Sequence, residues 1–250
     1  MAYYHKTVIA NWKMNTSLAD AVVLGEGIKK ALENLGHINV IVAPPSVWLY
    51  PLYELFSSSK IPNLSLAAQN IHSEEEGAYT GEISVAMIKK VADYTLIGHS
   101  ERRQFGETPQ DINKKLRLAL DWKIKPILFI SQDDIKISAG KLINYTDELI
   151  SRVDKDDYEK ITFVYEPTWA ISTSESDHLI TGHELESIAA ILKKRLGDSV
   201  KVLYGGSVNI KNAAHFTHIP QLDGAVVGVD SLKIKNFIEI CELFAEGRAA

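Results

Sequence analysis

The chain has 250 residues, 46% of them hydrophobic and 24% charged, and a formal net charge of −5. These fractions exclude a disordered or fibrous chain, and the acidic balance argues against a broad nucleic-acid surface, which needs a basic face. The single cysteine, Cys241, excludes an intramolecular disulfide, and no apolar run approaches the roughly 18 residues of a membrane span.

Short apolar runs rich in β-branched residues recur along the whole chain: Thr7–Ala10, Val40–Ala43, Leu64–Ala67, Tyr94–Gly98, Pro126–Ile130, Ile161–Tyr165, Val202–Tyr204 and Gly224–Val227. Most are continuous rather than alternating, as expected of strands covered on both faces in a parallel sheet. Helix-period segments lie between them. Ser17 caps a predicted helix whose apolar face is Leu24, Ile28, Ala31 and Leu35, with Gly36 as its stop. Thr108, Pro109 and Asp111 open another, carrying Ile112, Leu116 and Ala119. Thr181 and Glu184 have the spacing of a capping box ahead of Leu185, Ile188, Leu192 and Leu196, and Gly197 closes that helix. No linker or low-complexity tract interrupts the pattern. Eight repeated βα units favour one closed (β/α)₈ barrel over residues 1–250 rather than a doubly wound open sheet. In such a barrel, functional residues cluster just after the strand ends.

Several residues meet that criterion. Asn11 and Lys13 follow the first run; Lys13 is either a compact charge for a phosphate or carboxylate, or a solvated loop lysine. His99 follows the fourth run and suits a proton donor, an electrophile or a core residue. Glu101 and Arg102 beside it read as a structural ion pair, and Ser100 lacks the G-x-S-x-G elbow of a serine hydrolase. Glu166 ends an almost wholly apolar run, and a buried carboxylate is a stronger base than one in water. Pro167 holds it extended, so the side chain is expected to point out of the strand end. The alternative is a carboxylate that only caps or pairs. Gly205, Gly206 and Ser207 follow the seventh run and Gly228 and Val229 the eighth, where this barrel class usually binds phosphate. Gln69–Ser84 is long for a βα loop; with Ile71 and Tyr79 it reads as an ordered protrusion that packs into a partner. His178 with His183, and His215 with His218, lack a third ligand, so a metal site is not expected.

Together these segments resemble the triosephosphate isomerase family: Ala10–Asn15 (ANWKMN), Ala68–Asn70 with Gly77–Ser84 (AQN and GAYTGEIS), Ile97–Arg103 (IGHSERR), Tyr165–Ile171 (YEPTWAI), Tyr204–Val208 (YGGSV) and Asp223–Gly228 (DGAVVG). The resemblance implies a single TIM barrel and an aldose–ketose isomerase without metal or cofactor. It would interconvert dihydroxyacetone phosphate and glyceraldehyde 3-phosphate through an enediolate. It implies Glu166 as the base, His99 as the electrophile, Lys13 as the cation and Asn11 as a hydrogen-bonding neighbour. It also implies phosphate binding at Ser172, Ser207, Gly228 and Val229, and a homodimer in which Tyr79 and Thr80 approach the partner. A noncatalytic phosphate-binding protein and an isomerase of a tetrulose phosphate remain the other readings.

The sequence departs from the family pattern in a few places. Ser172 and Ser174 stand where glycines are usual in the expected lid, and Glu175, Ser176 and Asp177 replace Lys-Thr-Ala. Loop eight reads Gly228-Val229 instead of paired glycines. Phe129-Ile130-Ser131-Gln132 replaces Cys-Ile-Gly-Glu after the fifth strand.

Overall fold

Continuous apolar runs become strands here because each is covered twice, by the barrel interior and by helices outside. The computed structural model describes residues 5–58, 61–135, 137–170 and 180–247. The strands are β1 (Lys6–Asn11), β2 (Ile38–Ala43), β3 (Leu64–Ala68), β4 (Tyr94–Ile97), β5 (Lys125–Gln132), β6 (Thr162–Pro167), β7 (Lys201–Tyr204) and β8 (Gly224–Val227). All eight pair in parallel in sequence order, and β1 pairs with β8, so the sheet is a closed barrel. The expectation of a single TIM barrel holds, with every strand displaced by no more than two residues from its predicted run.

The helices in chain order are α1 (Leu18–Leu32), α2 (Leu49–Ser57), α3 (Val85–Ile88), α4 (Ser100–Gln104), α5 (Pro109–Asp121), α6 (Ala139–Leu149), α7 (Gly182–Leu196), α8 (Ala214–Thr217) and α9 (Ile234–Glu246). Caps set their starts. The Ser17 side chain accepts from the Asp20 N–H, and Thr108–Asp111 and Thr181–Glu184 both form full capping boxes. One boundary differs from expectation. α1 stops at Leu32, so Leu32 and not Ala31 is the buried residue of its last turn. The side chain of Asn63 donates to the carbonyls of Leu35 and Ile38, which ties residues 33–37 into turns before Gly36 can act as the stop.

The core has two parts. Outward-facing strand residues such as Val8, Val40 and Leu128 pack against helix residues such as Ile28, Leu116 and Phe237. Inward-facing residues, among them Ile9, Leu96, Phe129, Val164, Leu203 and Val226, fill the barrel itself. Because side chains alternate along a strand, the next inward positions upward are Asn11 above Ile9, Ser131 above Phe129 and Glu166 above Val164. The packed interior is therefore the floor on which the polar site stands.

Cys241 sits within α9 with no exposed surface, and burial pushes its thiol well above the ordinary thiol range. In the folded protein it is expected to resist a thiol-alkylating reagent, and to react stoichiometrically once denaturant opens the chain. Rapid labelling under native conditions would contradict that placement.

Candidate active site

Three strand ends bring the predicted residues together. Asn11 ends β1, Glu166 lies in the last turn of pleat of β6, and His99 follows β4 after Gly98. Gly98 has φ +77°, in the left-handed region. A Cβ there would press on Ile112 at 3.1 Å and the Phe129 carbonyl at 3.3 Å, so glycine is needed to turn the chain toward His99.

His99 is buried, with its ring and that of Phe129 in an edge-to-face arrangement at 4.9 Å between centroids. Its Nδ1 accepts from the Glu101 N–H at 3.2 Å, which makes His99 the cap of α4. A nitrogen that accepts carries no proton, so the neutral ring holds its proton on Nε2. That Nε2 lies 3.3 Å from Glu166 Oε1.

Glu166 is 1% exposed. Rather than pointing out of the strand end, as the Glu166-Pro167 pair suggested, its side chain turns inward, because the position belongs to the inward-facing row of β6. Its carboxylate accepts from the Ser100 N–H at 2.9 Å, from Ser100 Oγ at 2.7 Å and from Ser131 Oγ. An ionised carboxylate without water needs such donors.

Lys13 adopts φ +53°, a conformation that costs a side-chain-bearing residue free energy and persists only where the surroundings fix it. Here its N–H donates to Asn11 Oδ1 at 3.1 Å, and its carbonyl accepts from Gln69 Nε2 at 2.8 Å. Its Nζ pairs with Glu101 Oε1 at 2.6 Å. Glu101 therefore serves Lys13, and not Arg102 as its neighbour in sequence suggested.

Asn11, Lys13, His99 and Glu166 line one cleft of about 260 Å³ together with Gly206, Ser207, Gly228 and Val229. Gly206 cannot carry a side chain, since a Cβ would fall 2.0 Å from the Tyr204 hydroxyl. Ser207 differs from expectation in one respect: its N–H, a predicted phosphate donor, bonds the Ala170 carbonyl at 2.9 Å. Asp230 also lines the cleft. Burial alone would raise its carboxyl, but the Ile210 N–H, Asn236 and Lys233 outweigh this and hold it below the usual carboxylate range. Its negative charge is thus directed at its own partners. Ser172, Ser174, Glu175, Asp177 and His178 lie outside the described residues. Among the described residues, no group of three or more His, Cys, Asp or Glu side chains is placed to hold a metal ion.

The expected protruding loop splits in two. Ile71 is fully buried in its own barrel, whereas Tyr79 and Thr80 are exposed. Lys115 of α5 anchors the start of the loop by donating to Asn70 Oδ1 at 2.9 Å, while also pairing with Glu107. A second cleft joins Met14 and Phe105, both strongly exposed, to Gly81 and Glu82 of this loop.

Sequence reasoning missed Gln69, Ser100 and Ser131 as parts of the site. In sequence Ser100 reads only as a serine without a nucleophile motif, and Ser131 only as a departure from the family pattern. No local signal marks them: Ser131 comes level with Glu166 only through the register of β5 on β6.

Comparison with known proteins agrees with the geometry. The family model described as triosephosphate isomerase matches residues 6–244. The chain belongs to the triosephosphate isomerase family. A triosephosphate isomerase of Dehalococcoides mccartyi is 38% identical over 244 residues, covering 94% of each chain. Those of Natranaerobius thermophilus and Acetivibrio thermocellus are 34% and 35% identical, covering 95% and 93% of this chain and 96% and 95% of theirs. Among the described residues no helix is long and apolar enough to cross a membrane.

Proposed function

We propose that this chain interconverts dihydroxyacetone phosphate and D-glyceraldehyde 3-phosphate, and that residues 1–250 form one catalytic barrel domain. The observation that carries this reading is the pairing of a buried carboxylate, Glu166, with a neutral imidazole donor, His99 Nε2, at the mouth of a cleft that also holds Lys13.

The roles follow from the chemistry. The substrate carbonyl oxygen takes its hydrogen bond from His99 Nε2, with Asn11 beside it. Glu166 removes a proton from the carbon next to the carbonyl, and the C–H electron pair becomes the enediolate double bond. The negative charge develops on the oxygen, where His99 and the Lys13 ammonium stabilise it. The proton of the adjacent hydroxyl passes to the former carbonyl oxygen, and Glu166 returns its proton to the neighbouring carbon, so that the carbonyl has moved by one carbon. The substrate phosphate would lie against Gly206, Ser207, Gly228 and Val229, with the Ser207 N–H becoming available only when the Ala170 carbonyl moves away. Ser172 is assigned to the same phosphate by the motif alone. A coupled assay with glyceraldehyde 3-phosphate tests the reading, and the same assay with a tetrulose phosphate tests the nearest alternative substrate. No turnover of the triose would overturn it.

The reading includes a cytoplasmic homodimer. The single buried cysteine fits a reducing compartment. Exposed Met14, Tyr79 and Phe105, on and beside the Gln69–Ser84 loop, supply the apolar surface that a partner would cover, and Thr80 is exposed next to Tyr79. Light scattering should give the mass of two chains. A fully active monomer at nanomolar concentration would contradict the homodimer.

A further inference from the structure

Ser131 and Glu166 face each other across β5 and β6 as register partners in the ladder. Both stand on the inward row, one step above Phe129 and Val164, and Ser131 is almost fully buried. A hydroxyl has one proton to donate. The Ser131 Oγ has two acceptors in reach, Glu166 Oε2 and the Gly98 carbonyl at 3.2 Å, and the carboxylate oxygen is the nearer.

With the Ser100 N–H and hydroxyl also in place, both oxygens of Glu166 are engaged. Oε1 also stands 3.3 Å from His99 Nε2, in the way of the substrate oxygen that this donor has to reach. To act on substrate, the base has to let go of its donors and advance into the cleft. The serine hydroxyl can follow that change without moving its strand, because rotation about Cβ–Oγ carries its proton from Glu166 to the Gly98 carbonyl, already within reach at 3.2 Å. The departure of the base would then leave the buried Ser131 hydroxyl with an acceptor, whereas the Ser100 N–H and hydroxyl would lose theirs.

We propose that Ser131 is a positioning residue: it latches Glu166 in a retracted position and releases it by turning to the Gly98 carbonyl. This rests on the reading of Glu166 as the base. The latch bond exists only in the retracted state, so it biases the resting population against the forward one. A ligand that requires the base forward binds more weakly by the fraction of molecules held back. A charge-assisted hydrogen bond partly replaced by one to a carbonyl should bias that population by about tenfold.

Two anions separate this from a merely structural role. Inorganic phosphate fills the phosphate site without contacting the base. Phosphoglycolate adds a carboxylate that would take the His99 Nε2 donor now faced by Glu166 Oε1, so that the base has to give way to it. Calorimetry on the whole protein at one pH should find Ser131→Ala binding phosphoglycolate about tenfold tighter, with phosphate affinity unchanged. Ser131→Thr, which keeps the hydroxyl, should return toward the wild-type ratio. Ser131→Gly, the residue of the family pattern, should match Ser131→Ala and serves if the alanine variant folds poorly. Phosphoglycolate binding that is unchanged or weaker in both hydroxyl-free variants, or phosphate affinity that shifts in parallel, would overturn the latch. Turnover by the wild-type protein is a separate measurement, so failure of the isomerase reading and failure of the latch are distinguishable.

Discussion

Glu166→Ala lowers kcat on glyceraldehyde 3-phosphate by about 10²–10⁴-fold, the contribution of a positioned general base. The loss falls on kcat because the substitution removes a group that acts at the reacting carbon, while the phosphate contacts are untouched. The variant is also expected to be less stable by about 1–3 kcal/mol, since the Ser100 N–H, the Ser100 hydroxyl and the Ser131 hydroxyl lose a shared acceptor in a site with almost no exposure. Glu166→Gln meets a different difficulty, because its amide donor would confront at least one of those three donors. Glu166→Asp keeps the acceptor and shortens the reach, and a misplacement of about 1 Å is enough to cost about 10²-fold. A coupled assay with circular dichroism on each variant checks all three. Full activity in Glu166→Ala would remove Glu166 from the mechanism.

His99→Ala is the second large effect, a fall in kcat of about 10²–10³-fold. The Nε2 proton is fixed in place by the N–H of Glu101 on the other ring nitrogen, so the donor is oriented before substrate arrives. Glu101 Oε2 is 3.9 Å from that same Nδ1, too far to compete as a hydrogen-bond acceptor. Phe129 closes the ring from the side, which limits rotation out of line. An interaction that strengthens as charge develops on the substrate oxygen lowers kcat more than it changes KM when removed. A variant whose KM alone rises would instead place His99 in ordinary substrate binding.

Local patterns carried most of the fold. Continuous apolar runs such as Val40–Ala43 are legible because burial on both faces leaves no polar alternation, and Thr108–Asp111 is legible because a capping box is made by residues three apart. The end of α1 was not, since it depends on Asn63 arriving from a different loop. The same division applies to the site. Glu166, His99 and Lys13 each lie at or just after a strand end and stand out in their own segments. Their partners do not: Gln69 grips Lys13 from 56 residues away, and Ser131 reaches Glu166 from 35 residues away. Such pairings are products of barrel closure and register, which a single sequence does not print. Glu101 misled for the opposite reason, since an adjacent arginine suggested a partner that the chain did not use.

The closure of β1 on β8 has a consequence for how the protein comes into being. The register sets Thr7 beside Gly224, more than two hundred residues later. At a synthesis rate of roughly 5–20 residues per second, the first strand is made some tens of seconds before the strand that completes it. Until then the sheet has open edges, and Lys13 lacks the Gly228 side of its cleft. Half-made chains therefore have exposed pairing groups and no complete site, so the nascent chain is both the form most open to misassembly and a form without activity. Once the last strand closes, the described sheet has no free edge, and the route to strand-to-strand aggregation closes in the same step that completes the catalytic cleft.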